Sequence, residues 1–210
     1  MNEIIPAILA QDEKTFRERL KAVKDLAPMV QIDVLDGTLF RETSWFDVAA
    51  IKAMEIKADL ELHLMVSQPK KYIEACRVLP NVKRVIWHIE AHIDHAELII
   101  LCEEYGLKTG LAIAPKTPLD EIEPFADMVE EILVLGVEPG KSGQNLINET
   151  IDKARTIALA WPNAVTGFDG GIAQWNLERL RDAGVTRFCV ASGIFGATDP
   201  KEALMKFQNL

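Results

Sequence analysis

Two rhythms of apolar residues alternate along the chain. Short apolar runs, as at 4–9, 30–35 and 131–135, are separated by longer stretches whose apolar residues recur every three or four positions. In 14–26, for example, Phe16, Leu20, Val23 and Leu26 fall at helical spacing with charges between them. The first rhythm predicts strands and the second amphipathic helices. Strands are predicted at 4–9, 30–35, 60–66, 84–89, 109–114, 131–135, 164–168 and 187–190. Helices are predicted after them at 14–26, 46–54, 69–79, 92–105, 118–125, 145–160, 174–183 and 200–207. Pro69 suits a first helical turn, and Gly106 and Gly184 suit helix stops.

The runs 85–90 and 131–136 are almost continuously apolar, as expected of strands covered on both faces. Repeated strand–helix units imply a parallel sheet with right-handed crossovers. Eight such units closing on themselves make an α/β fold of the (β/α)8 TIM-barrel type; an open doubly wound sheet has the same periodicity. With 210 residues and no linker-like stretch, the expectation is a single domain spanning 1–210.

Charge and composition narrow the function. The formal net charge is −9 and the pI about 5.0, so a nucleic-acid partner is not expected, because the chain would repel a phosphate backbone. A small anion is still acceptable, since a few backbone N–H groups at a helix start can hold a phosphate whatever the net charge. No apolar run reaches the roughly 18 residues of a membrane helix, so no membrane partner is expected. Cys76, Cys102 and Cys189 follow no CxxC spacing, and the start of the chain has no basic, then apolar, leader pattern. Reduced thiols and a cytoplasmic location are the expectation.

In such a barrel the C-terminal strand ends carry the chemistry. Polar groups stand there in number: Gln31, Asp33 and Asp36 on strand two, Glu61 and His63 on strand three, His88 and Glu90 on strand four. Asp169 ends strand seven before Gly170 and Gly171, and Ala191, Ser192 and Gly193 follow strand eight. A carboxylate inside an apolar strand is costly unless paired or bound to a cation. Asp33, His63 and Asp169 together form a mixed N/O donor set suited to zinc, iron(II), manganese or cobalt. The same two carboxylates could carry protons if they flank one substrate carbon. The glycine-containing loops after strands six to eight, with Gly140, Gly143, Gly170 and Gly171, let backbone N–H groups approach an anion.

These residues resemble the ribulose-phosphate 3-epimerase family. The likeness is carried by Ile5-Pro6-Ala7-Ile8-Leu9, Asp33-Val34-Leu35-Asp36-Gly37, His63-Leu64-Met65-Val66 and His88-Ile89-Glu90-Ala91. It continues through Pro115-Lys116-Thr117-Pro118-Leu119, Val137-Glu138-Pro139-Gly140 with Gly143-Gln144, and Asp169-Gly170-Gly171. The resemblance implies a ribulose-phosphate-binding barrel that interconverts D-ribulose 5-phosphate and D-xylulose 5-phosphate. It implies Asp33 and Asp169 as the two acid/base groups, and Asp33, His63 and Asp169 as ligands of one divalent metal. It implies a phosphate and substrate surface made by Gly140, Gly143, Gly170, Gly171, Ala191, Ser192 and Met65. The partner implied is a phosphorylated ketose, and family barrels are often homo-oligomers.

The chain departs from the family pattern around that same site. Gln31 stands where a His is usual as fourth metal ligand, and an amide oxygen is the weaker ligand. Ala7 replaces a Ser, Thr38 a His, Leu35 a Met and Ala191 a Gly, and Lys141-Ser142 replaces an aromatic and a Gly. The loop 39–45 has little likeness. Three functions therefore stand side by side: a ketose-phosphate 3-epimerase for pentose or hexose phosphate, a hexulose-phosphate lyase or synthase, and a non-catalytic phosphosugar-binding barrel.

Overall fold

The computed structural model describes residues 2–210. Its eight strands are β1 (Glu3–Ile8), β2 (Met29–Leu35), β3 (Asp59–Met65), β4 (Val82–His88), β5 (Lys108–Ile113), β6 (Glu131–Leu135), β7 (Val165–Asp169) and β8 (Arg187–Val190). They pair in parallel in chain order, and β8 returns to β1, closing the barrel. The open sheet is thereby excluded, and the fold is the (β/α)8 barrel.

The helices are α1 (Glu13–Val23), α2 (Val48–Ala53), α3 (Pro69–Cys76), α4 (His95–Glu104), α5 (Glu149–Ala160), α6 (Leu177–Asp182), α7 (Ser192–Phe195) and α8 (Pro200–Gln208). Four begin on an aspartate whose carboxylate accepts backbone N–H groups: Asp12 for α1, Asp47 for α2, Asp94 for α4 and Asp199 for α8. Each such cap contributes about 1 kcal/mol.

Three stretches differ from the periodicity. The helix expected at 118–125 is two 3-10 segments, Leu119–Glu121 and Glu123–Met128, because Pro118 and Pro124 donate no N–H to an α-helical ladder. The helix expected from 145 starts at Glu149, because the preceding residues cross back to the sheet, where Ile147 N donates to Gly136 O. The helix expected at 174–183 begins as a 3-10 turn, Gln174–Asn176, before α6. There the Asn176 side chain accepts from Ala173 N and donates to Gly171 O, pinning the loop after β7. The four-residue α7 is too short for periodicity to reveal.

Alternation along the strands makes two cores. Leu60, Leu62 and Leu64 of β3, with Val85 and Trp87 of β4, face the helices in the outer core. Ile5, Ala7, Ile86, Ala112, Leu133, Leu135 and Cys189 make a smaller core inside the barrel. Below it, near the N-terminal ends of the strands, lies a buried ion cluster. Arg187 donates to Glu3 (2.7 Å), Glu61 (2.7 Å) and Glu131, and Arg84 lies 3.4 Å from Glu61 and 3.3 Å from Glu131. Burial, reinforced by the Glu61 charge, raises the Glu131 carboxyl to about 7 against the pull of the two arginines. Glu61, one of the polar residues noted on strand three, thus belongs to the floor of the barrel and not to the mouth.

Candidate active site

Asp33, His63 and Asp169 come from β2, β3 and β7 and converge at the C-terminal mouth. Paired β2 and β3 place Asp33 level with His63, and Asp169 is the last residue of β7. His63 Nδ1 lies 3.0 Å from Asp33 Oδ1 and 3.3 Å from Asp169 Oδ2. The Gln31 side chain completes the group: its Nε2 donates to Asp33 Oδ1 and to Asp169 Oδ2, both at 2.7 Å. All four side chains are buried.

Two carboxylates this close cannot both be ionised without a compensating cation. Burial, and then the Asp33 charge, raise the Asp169 carboxyl above its ordinary value. Burial alone would strip the proton from His63. Hydrogen bonds to Asp169 and Asp33, and the charges of both, outweigh it and raise the imidazole to about 10.

The donor set fits a divalent ion. Ligand atoms about 2.1 Å from a metal stand roughly 3.0–3.4 Å from one another, and the His63–Asp33 and His63–Asp169 separations of 3.0 and 3.3 Å fall in that range. Among the described residues Gln31 Oε1 is buried without a hydrogen-bond partner. A half-turn of the amide would exchange it with Nε2 and bring an oxygen to the point shared by both carboxylates.

The mouth is a cavity of about 40 Å³. Asp33, His63 and Asp169 lie at its base with Met65. Its wall contains the other residues expected from the sequence: Gly140 and Gly143 after β6, Gly170 and Gly171 after β7, and Ala191 and Ser192 after β8. Gln31 alone stands behind the wall. At Gly171, with φ +70°, a Cβ would lie 2.7 Å from Leu146 Cα, so only glycine lets the loops after β6 and β7 meet.

Sequence reasoning missed two contributions. The loop 37–45 reaches groups beside the mouth: Glu42 Oε1 lies 3.1 Å from Lys141 Nζ, and the Phe40 ring stands edge-on to His88 with centroids 4.9 Å apart. Nothing in its residue pattern signals this, because loop contacts leave no periodicity. The second is a buried chain behind His63. His63 Nε2 meets His88 Nε2 at 3.0 Å, and His88 Nδ1 meets Glu90 Oε2 at 2.8 Å. Both residues were legible as polar positions on strand four, but the contact between β3 and β4 was not.

Residues 3–195 match the model of the ribulose-phosphate 3 epimerase family. The chain is 30% identical over 216 residues to ribulose-phosphate 3-epimerase of Schizosaccharomyces pombe, covering 99% of this chain and 92% of that protein. It is 29% identical over 216 residues to the enzyme of that name from Aquifex aeolicus, covering 100% and 97%. Among solved structures it is similar to 3-hexulose-6-phosphate synthase, with a TM-score of 0.71 at 12% identity over 100% of this chain and 99% of that one. It is also similar to KGPDC from Streptococcus mutans, with a TM-score of 0.73 at 11% identity over 99% and 96%. At such identities the structural likeness concerns the barrel alone.

Proposed function

The chain belongs to the ribulose-phosphate 3-epimerase family, a family of isomerases, and from that premise we propose that it inverts C3 of D-ribulose 5-phosphate to give D-xylulose 5-phosphate. The observation that carries the proposal is the convergence of Asp33 and Asp169 on one point, each 2.7 Å from the Gln31 amide. Inversion needs a base on one face of the carbon and an acid on the other. Asp33 and Asp169 take these roles and exchange them in the reverse direction.

Removing the C3 proton next to the C2 carbonyl leaves an enediolate, whose negative charge must be compensated in a site that excludes water. A divalent ion held by Asp33, His63, Asp169 and Oε1 of Gln31 would supply that compensation as a Lewis acid; zinc, iron(II), manganese and cobalt all suit the donors. Without an ion the Gln31 Nε2 bridges the two carboxylates instead, and turning the amide gives up that bridge for an oxygen ligand. The phosphate of the ketose is taken by Gly171, Ser192 and neighbouring backbone amides, with Gly140, Gly143, Gly170, Ala191 and Met65 shaping the cavity around it. Three free, buried cysteines suit a reducing cytoplasmic compartment, and among the described residues no helix is long and apolar enough to cross a membrane.

The test is proton exchange in deuterated water. The protein should introduce deuterium at C3 of ribulose 5-phosphate. Asp33→Asn and Asp169→Asn should each slow this by about a hundredfold to ten-thousandfold, the usual contribution of a positioned acid or base. Binding of the ester without any exchange would overturn the epimerase reading, in favour of a lyase or a non-catalytic phosphosugar-binding barrel.

A further inference from the structure

We propose that His88 and Glu90 are positioning residues that aim Nδ1 of His63 at the two carboxylates by fixing the direction of a buried hydrogen-bond chain. The inference rests on the proposed role of His63 and adds the residues that set it.

The direction is dictated from the far end. Ala114 N–H donates to Glu90 Oε1 at 2.8 Å, and a backbone N–H cannot reverse its role. The Thr117 hydroxyl reaches the same oxygen at 2.5 Å. Despite burial, contacts with His88, Thr117 and Ala114 hold the Glu90 carboxyl down at about 2, so it offers acceptors only. Its other oxygen therefore accepts from His88 Nδ1–H at 2.8 Å. That leaves a lone pair on His88 Nε2, which accepts from His63 Nε2–H at 3.0 Å. Nδ1 of His63 is then the nitrogen that faces Asp33 and Asp169, free to bind a cation or to carry a second proton.

The surroundings hold this arrangement in place. His63 and His88 are both fully buried, their ring planes 21° apart, and Phe40 covers His88 from the loop 37–45. The segment after β5 that supplies Ala114 N–H and Thr117 is tied down by Lys153 of α5. Lys153 Nζ donates to the carbonyls of Ala114 (2.8 Å), Pro115 (2.7 Å) and Thr117 (2.7 Å). The chain thus runs from α5 through β5 and β4 to the mouth.

E90Q tests it with almost no change of shape. The oxygen of the introduced amide stays with Ala114 N–H, so its NH2 must face His88 Nδ1. Nδ1 becomes an acceptor, the His88 proton moves to Nε2, and His63 is forced to place its own proton on Nδ1. Cobalt(II) affinity, read from the visible absorption of the ion, should fall about 10- to 100-fold, the usual effect of losing such a supporting group. Nitrogen-15 spectra of the metal-free protein, at a pH where His63 holds a single proton, should show the His88 proton moving from Nδ1 to Nε2. H88Q, whose amide oxygen can still accept from His63 Nε2–H, should bind cobalt within a few-fold of the unaltered protein. Unchanged cobalt affinity in E90Q, an unmoved His88 proton, or equal losses in E90Q and H88Q would each overturn the inference. If E90Q does not fold, H88L takes its place. It removes the acceptor entirely and should lose affinity where H88Q does not; equal affinities would again overturn the inference. If the unaltered protein takes up no cobalt, the metal reading falls, and the proton position on His88 alone decides this one.

Discussion

His63 occupies an unusual electrostatic position, because one nitrogen faces two buried carboxylates and the other faces a neutral imidazole. Without a metal it carries a proton, and a bound ion would take that proton's place. A group raised from its ordinary 6.5 to about 10 on folding stabilises the metal-free protein most below pH 6.5, and that stabilisation is lost as pH rises through about 10. Metal binding must expel the same proton, so affinity should climb about tenfold per pH unit across this window. Titration calorimetry with zinc near pH 8, in buffers of different ionisation enthalpy, should show about one proton released. Release of none would mean that the ion does not bind at His63 Nδ1. Gln31 belongs to the same balance: as a hydrogen-bond donor it bridges the carboxylates, and turned round it offers an oxygen ligand.

At the scale of elements, alternation and stagger divide the barrel lengthwise. Glu61 and His63 both point inward from β3, yet two residues of rise put one in the ion cluster at the floor and the other at the mouth. The floor depends on a glycine: a Cβ on Gly167 of β7 would lie 2.2 Å from Glu131 Oε1. Gly167→Ala should therefore cost about 1–3 kcal/mol, the range for overpacking a filled interior, as measured by urea denaturation. Zinc affinity at the mouth should not change, because that Cβ meets only Glu131 and Leu133, neither of which lines the mouth. A variant as stable as the parent would show that Glu131 can move away freely. Much of this division was legible beforehand. Strands covered on both faces read as apolar runs, so a charge at the end of one, such as Asp33 or Asp169, stands out. Closure of the barrel was not legible from periodicity, because the β8–β1 pairing joins the two ends of the chain. The Glu131–Arg187 pairing was hidden for a related reason: both residues read as the starts of strands, but periodicity does not say that they meet inside the barrel.

Across the whole molecule, the mouth joins segments that are remote in sequence. An ion shared by Asp33, His63 and Asp169 would tether β2 and β3 to β7 across most of the chain, so its binding must oppose global unfolding and not only order a loop. Anything that binds only the folded form at a hundred times its dissociation constant stabilises by about 2.7 kcal/mol. For a protein of this size that corresponds to a rise in Tm of about 5–10 °C. Calorimetric scans with excess zinc, compared with scans in EDTA, should show this shift. It should vanish when Asp33 and Asp169 are both replaced by Asn, and should survive Gly167→Ala, which strains Glu131 and Leu133 but no residue of the mouth. A shift that persisted without the two carboxylates would place the ion elsewhere. A shift lost with Gly167→Ala would mean that floor and mouth act as one unit. Cys189 is the side chain through which they could do so, since it lines the cavity above and lies 3.7 Å from Glu61 below.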